Sequence, residues 1–319
     1  MKLLFRKLFY LIIMLFIISL ISFIAINAAP NSFFASGELN PNITEESVKQ
    51  LKAVYGLDKP LYIQYFSWLE AIVHLDFGIS FSSGSMVKDE ILDRMGITLT
   101  INIISMLLIF IISLYLGIKA ALNKNSLFDR FTEQLSLLSF SMPSFYLALL
   151  LVLVFAVNFQ VLPIAGLHSV SDDGSFTYYL DMAWHLVLPI FIIVFGGIGS
   201  LTLYVKSLTI EILKSDYIFF AKARGLDKKQ LLKYYVLPNL YPPVITLLGL
   251  SVPGIIGGSV ILETIFSIDG MGLLFYQSAL AHDYPVIMGI LIIGAFLTLL
   301  GNMIADVVLL KLNPNYDGK

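Results

Sequence analysis

Asp216-Tyr217-Ile218-Phe219-Phe220-Ala221-Lys222-Ala223-Arg224-Gly225-Leu226-Asp227, running on to Leu237-Pro238, is a polar, basic island between two long apolar runs. Lys222, Arg224, Lys228, Lys229 and Lys233 sit among Phe219, Phe220, Leu226, Leu231 and Leu232. The pattern predicts two short amphipathic helices broken near Gly225, where a glycine permits a tight turn. Asp216 is placed to cap the first helix, and Asp227 with Gln230 three residues on reads as a capping box that opens the second. Pro238 is expected to end the second helix, because the residue before a proline is pushed out of helical geometry. A bent amphipathic hairpin on a polar face suits the grip of another protein. The alternative is a solvated loop whose lysines only fix topology.

Composition sets the class of molecule. Hydrophobic residues make up 58% of the 319 and charged residues only 13%, about half the charge of a soluble domain. This is the composition of a polytopic membrane protein, and apolar runs of about 20 residues make the expected fold class all-α. The chain has no cysteine, which excludes disulfides and thiolate metal sites. Its four histidines, His74, His168, His185 and His282, lack metal-site spacing and read as structural or interfacial groups.

Leu8 to Ala28 is the first apolar run and follows Lys2, Arg6 and Lys7. Small residues at Ala25 to Ala29 admit a cleaved signal peptide. The apolar length of about 20 residues instead suits a retained spanning helix. Between Pro30 and Met95 lies the one long hydrophilic interval. Thr44 followed by Glu45 and Glu46 reads as a helix start with Ile43 and Val48 as a staple, and Gly56 and Pro60 as its close. Leu61 to Leu75 is an aromatic-rich interfacial helix, and Ser80 to Ser85 a loop. Further spans are expected at about 98–122, 134–157, 185–205, 242–265 and 285–310.

Six transmembrane helices place both termini on one side, and the basic residues choose the side. Segments assigned to the cytoplasm carry 15 of the 20 Lys and Arg residues. The short outer loops Asn158 to Trp184 and Phe266 to Tyr284 carry none. By the positive-inside rule both termini are cytoplasmic. The expected layout is an N-terminal helix plus external segment over 1–93, a transmembrane core over 94–310 that includes a cytoplasmic loop at 206–241, and a tail over 311–319.

The expected spans are almost empty of charge, with Glu263 at the outer end of the fifth and Asp306 near the inner end of the sixth. Ion-coupled carriers keep ionisable groups deep in their spans, and no GxxxxGK[ST] phosphate loop is present. A transporter of this kind needs a separate motor. A membrane-embedded enzyme would need a clustered acid, base, nucleophile or metal-ligand set. A passive channel would have no use for the hairpin.

Ala221-x3-Gly225-x9-Tyr235-x-Leu237-Pro238 resembles the cytoplasmic EAA loop of binding-protein-dependent ABC importers, with Phe219 and Phe220 in place of Glu and Ala. The flanks are similar to the dipeptide/oligopeptide/nickel permease family, specifically its first permease subunit. They include Asp216-Tyr217, Gly257-Gly258-Ser259-Val260-Ile261-Leu262-Glu263, Gly270-Met271-Gly272, Asp283-Tyr284-Pro285-Val286, Met142-Pro143-Ser144-Phe145 and Tyr55-Gly56-Leu57-Asp58-Lys59-Pro60. The resemblance implies a type I ABC importer permease fold in the inner membrane of a bacterial or archaeal cell. It implies a complex with a second permease, two cytoplasmic ABC ATPases and an external solute-binding protein, and no catalytic residue, cofactor, metal or nucleic-acid partner. Peptides are the first expected substrate and nickel or a metal chelate the second. The ATPase-coupling set is then Asp216, Tyr217, Phe219, Phe220, Ala221, Ala223, Gly225, Leu226 and Pro238.

Ser141, Pro143, Gly254, Gly257, Gly258, Ser259 and Glu263 are the candidates for a translocation path or gate. Two readings stand for these positions. The glycines notch a span for close helix packing, or they admit a broken backbone beside a pore. Glu263 either faces the outer interface or lines a gate with the Gly270-Met271-Gly272 turn. Asp306 reads as a helix-end group.

Overall fold

Apolar runs fold into helices in a membrane because the bilayer offers no partner for an open backbone amide. The computed structural model describes residues 2–28, 59–169, 175–256 and 259–312. In chain order the helices are α1 (Lys2–Ala28), α2 (Leu61–Val73), α3 (Val87–Leu122), α4 (Leu127–Ser141), α5 (Ser144–Leu151), α6 (Phe176–His185), α7 (Val187–Leu213), α8 (Asp216–Ala223), α9 (Lys228–Leu231), α10 (Leu237–Ile256), α11 (Val260–Ile265), α12 (Met271–Ala281) and α13 (Tyr284–Leu312). Two π-helical turns, Val152–Asn158 and Leu232–Val236, follow α5 and α9. Among the described residues four helical stretches are long and apolar enough to cross a membrane, or five if α4 and α5 with its π turn form one broken span.

Two expected spans are not single helices. The run at 134–157 is bent by 102° between Leu127–Ser141 and Ser144–Asn158. Met142 leaves helical geometry at ψ 120° and Pro143 opens the next helix at φ −61°, ψ 133°, the extended conformation that a following proline favours. The run at 242–265 is also divided. Ser259 takes an extended conformation and its side chain accepts the Leu262 N–H, so it caps a separate helix, α11. The Thr44 helix start, its staple, Gly56, Gly257 and Gly258 lie outside the described residues. Pro60 stands at the N-cap of α2.

The chain divides into two compact units, Met1–Thr98 with Asp269–Leu300, and Leu99–Ile268 with Gly301–Lys319. In the first unit Phe23, Tyr65 and Met288 share a core, with Leu20, Trp68 and Leu69 against it. The Ser19 hydroxyl meets the Tyr65 hydroxyl at 2.9 Å, so both polar tips are satisfied in an apolar setting. A second core gathers Val87, Ile91, Met271, Leu274, Val286 and Ile290. The loop beginning at Ser80 is tied down across the chain by Asp283, while Ser83 Oγ donates locally to Glu90. Buried Asp283 accepts from Ser80 Oγ at 2.6 Å, Ser82 N at 3.0 Å and Phe81 N at 3.2 Å. Such charge-assisted bonds are stronger than neutral ones.

In the second unit α4 lies directly on α7. A Cβ added to Gly199 would stand 2.5 Å from the Ser136 carbonyl oxygen, so the two backbones meet where only glycine fits. Ser139 Oγ donates to the Phe195 carbonyl beside that contact. Lys206 Nζ of α7 reaches Asp129 of α4 at 2.6 Å and Glu133 at 3.0 Å. Gly117 of α3 gives a second close approach, since a Cβ there would lie 2.8 Å from the Thr202 carbonyl. Small residues at crossings are the usual means by which membrane helices gain contact.

Candidate functional site

The hairpin 216–231 is built from the second unit's core outward. Ile218 and Ala221 are buried with Leu231, Val236 and Leu240 in one apolar cluster, against which Leu226 packs. That inner face fixes the outer one, because α8 turns Phe219 and Phe220 away from the cluster. They are 68% and 62% exposed, with ring centroids 5.8 Å apart. Tyr217 stacks on Tyr235 at 6.3 Å and 16°, bracing α8 against the chain beyond α9.

The break between α8 and α9 has a complete hydrogen-bond account. Gly225 takes φ +86°, the Leu226 N–H returns to the Ala221 carbonyl at 3.3 Å, and the Gly225 N–H returns to Lys222 at 2.9 Å. This is a Schellman closure with glycine at its left-handed position. It accounts for two positions and the spacing between them. Ala221 is 2% exposed, too enclosed for a larger side chain, and it supplies the accepting carbonyl four residues before the glycine. The next helix opens with the expected capping box. Asp227 accepts the Gln230 N–H at 2.7 Å, and the Gln230 side chain accepts the Asp227 N–H at 3.0 Å.

Two expectations for the hairpin need correction. Asp216 is not the cap of α8. Ser215 holds the N-cap position, its hydroxyl donates instead to the Ile212 carbonyl at 2.6 Å, and Asp216 lies in the first turn, where its charge complements the helix dipole. Pro238 does not end the helical run. Leu237 keeps helical angles (φ −59°, ψ −45°) and its N–H bonds to the Leu232 carbonyl, five residues back. The wider π turn takes up the proline, a known way for a helix to absorb an unmatched residue. Asn239 helps by donating its side-chain amide to the Tyr235 carbonyl at 2.7 Å.

The path candidates fall in different places. Ser141 and Pro143 are exposed at the α4–α5 bend. Ser259 caps α11, which packs on α5, and Glu263 on α11 is buried at 4% exposure. Gly254 is exposed on α10 and a Cβ there would meet nothing within 4 Å. Ala223 and Pro238 of the coupling set are exposed, and Leu226 is half-buried. The four histidines serve local structure. His74 Nδ1 lies 2.8 Å from the Glu70 carbonyl, His168 packs on Tyr178, His282 takes the left-handed cap of α12, and buried His185 lies between the Asp181 carbonyl and Ser169 Oγ. Among the described residues no group of three His, Cys, Asp or Glu is placed to hold a metal ion.

Sequence reasoning missed the Lys206–Asp129–Glu133 cluster and treated Lys206 only as a topology charge. The available signal was the four-residue spacing of Asp129 and Glu133, which puts both carboxylates on one helix face.

The described fold is helical, with breaks at Pro143 and Ser259 and an aromatic hairpin between α7 and α10. Residues 113–318 match the family model "Binding-protein-dependent transport system inner membrane component", and residues 1–102 match its companion, "Binding-prot-dependent transport system membrane comp, N-term". The chain belongs to this family, the non-catalytic permease components of ABC importers, and is a multi-pass inner-membrane component. It is 34% identical over 301 residues to the oligopeptide transport system permease protein AppB of Bacillus subtilis (strain 168), covering 94% of each chain. To the oligopeptide permease OppB of Haemophilus influenzae it is 32% identical over 315 residues, and to the dipeptide permease DppB of Lactococcus lactis 31% over 314, covering 98% of each chain in both cases. A solved structure of the MetNI methionine ABC transporter, inward facing, is similar with a TM-score of 0.52 at 16% identity, over 70% of this chain and 96% of that one. At that identity the likeness is one of fold.

Proposed function

We propose that the chain is one of two permease subunits in an ATP-driven peptide importer and forms half of the path. The observation that carries this reading is the Phe219–Phe220 pair, held outward at 68% and 62% exposure by a hairpin whose inner face is fully packed. Two large aromatic side chains fixed in water on a rigid support are what an anchor for a partner groove requires. The partner is an ABC ATPase, one of two, and the neighbouring lysines favour an acidic rim to its groove. Peptide as the solute is supported by the relatives named oligopeptide and dipeptide permeases. Delivery is by an external solute-binding protein.

In this reading the hairpin, within 206–241, is cytoplasmic, as are both termini. In a six-span type I importer arrangement α1 is the first span, and its 27 residues reach about 40 Å. The path or gate includes Ser141, Pro143, Gly254, Gly257, Gly258, Ser259 and Glu263. ATP-driven closure of the motors moves the hairpins, and the spans follow as packed bodies.

The test is uptake by proteoliposomes holding this chain, its partner permease, both ATPases and the binding protein. Labelled peptide should accumulate with ATP and not when the ATPases are left out. ATP-independent equilibration would mark a channel, and uptake of a nickel chelate in place of peptide would reassign the solute. Single-cysteine labelling in this cysteine-free chain checks topology, and labelling of Lys228→Cys by an impermeant reagent outside sealed cells would overturn the six-span arrangement.

A further inference from the structure

A cavity of about 580 Å³ opens between α3, α7 and α10 in the unit formed by Leu99–Ile268 and Gly301–Lys319. Its size is that of an ordinary small-molecule site. Twelve described residues line it and none of them carries a charge. Asn102, Ser200, Tyr204 and Ser251 supply an amide and three hydroxyls, and the rest of the wall is aliphatic, aromatic or glycine. Ser251 Oγ donates its proton to the Leu247 carbonyl at 2.8 Å, which leaves its oxygen able to accept.

Two glycines stand in this wall for different reasons. A Cβ on Gly197 would run into the Ile109 side chain, so that glycine serves packing. A Cβ on Gly254 would meet nothing within 4 Å, so no packing contact requires glycine at this place in the cavity wall. Ser251 precedes Gly254 by three residues and shares its helix face.

We propose that Gly254 sets the bulk limit of a neutral, amide- and hydroxyl-lined passage for short peptides. This rests on the peptide-importer reading and deepens it. Each peptide unit brings one donor and one acceptor, and the amide and hydroxyl groups of the wall answer both. A wall without fixed charge exchanges such bonds for those of water without trapping either charged end of the solute. Tight transition-metal sites draw mainly on carboxylate, imidazole and thiolate ligands, and the described lining has none of these three.

The complete complex in proteoliposomes, supplied with labelled alanine peptides from two to five residues, tests the proposal. The quantity read is the ratio of penta-alanine to dialanine uptake, from which selection by the common binding protein cancels between variants. Gly254→Leu should lower that ratio about tenfold, the scale at which a pocket senses added methylenes. Tyr204→Ala enlarges the same cavity and should raise it. An unchanged ratio in both variants overturns the size limit while the importer reading stands. If Gly254→Leu fails to assemble, Tyr204→Ala decides alone, and a ratio equal to wild type overturns the proposal. Wild-type complex that imports no peptide of any length removes the underlying reading as well.

Discussion

At Gly199 the backbones of α4 and α7 touch, and at Gly225 a Cβ would have nothing within 4 Å. The first position needs glycine because no space exists for a Cβ. The second needs it because the chain turns through φ +86°, which L side chains rarely adopt. The crossing buries small side chains and the Lys206–Asp129 pair inside one chain, whereas the hairpin buries one face and leaves two phenylalanines in water. These two glycines therefore report on different things, one on crowding and the other on conformation, and replacing them should fail in different assays.

The largest effect is expected at the crossing. Gly199→Leu forces a side chain against the Ser136 carbonyl, an overpacking that costs about 3 kcal/mol or more because backbone has to move. Accumulation in the membrane and resistance to protease should both collapse. Normal accumulation would show that α4 and α7 part more easily than their contact implies. Lys206→Met comes next, since it leaves Asp129, 5% exposed, without its cation. Breaking a buried pair costs about 3 kcal/mol, read as a lower melting temperature of the purified chain. Glu133→Gln should change little, because that carboxylate is 53% exposed.

The hairpin should fail in a different assay. Phe219→Ala with Phe220→Ala removes about 2 kcal/mol of anchoring and weakens ATPase association roughly thirtyfold. Accumulation should match wild type, and pull-down at equal expression separates the two. Full ATPase recovery with normal uptake would return the hairpin to a solvated loop. The smallest and sharpest contrast is at Gly225. Gly225→Val costs on the order of 1–2 kcal/mol of backbone strain, while Gly225→Asn, which tolerates the left-handed region, should cost only a fraction of that. Equal losses in ATPase recovery for the two variants would mean that φ is not what the position selects.

Local chemistry was the legible part of this fold. The Asp227–Gln230 box and the Gly225 break depend on residues adjacent in the chain, so spacing alone revealed them. Pro143 and Pro238 mark where local reading stops. Each has the same preference against helix before it, but the chain bends by 102° at one and runs on through a π turn at the other. The outcome depends on neighbours that take up the freed backbone groups, such as Asn239 on the Tyr235 carbonyl. The Lys206 cluster joins groups 73 and 77 residues apart in the chain, and no window along the sequence contains both. Of the path candidates, Ser259 was read only as part of a notched span, and its cap on α11 emerged with the structure. Gly254 could not be told from a packing glycine without the empty space beside it.

The Asp283 clasp has a consequence in time. Ser80 and its anchoring carboxylate are 203 residues apart, and a ribosome adds about 5–20 residues per second. After its own synthesis the loop therefore waits about 10–40 s for its anchor. In that interval Ser80 Oγ and the Phe81 and Ser82 amides have no carboxylate to bind. The clasp closes only when Asp283 has been made, so a chain truncated before it would keep the loop's local bonds, such as Ser80 N–H to the Ser85 carbonyl, without the long-range anchor.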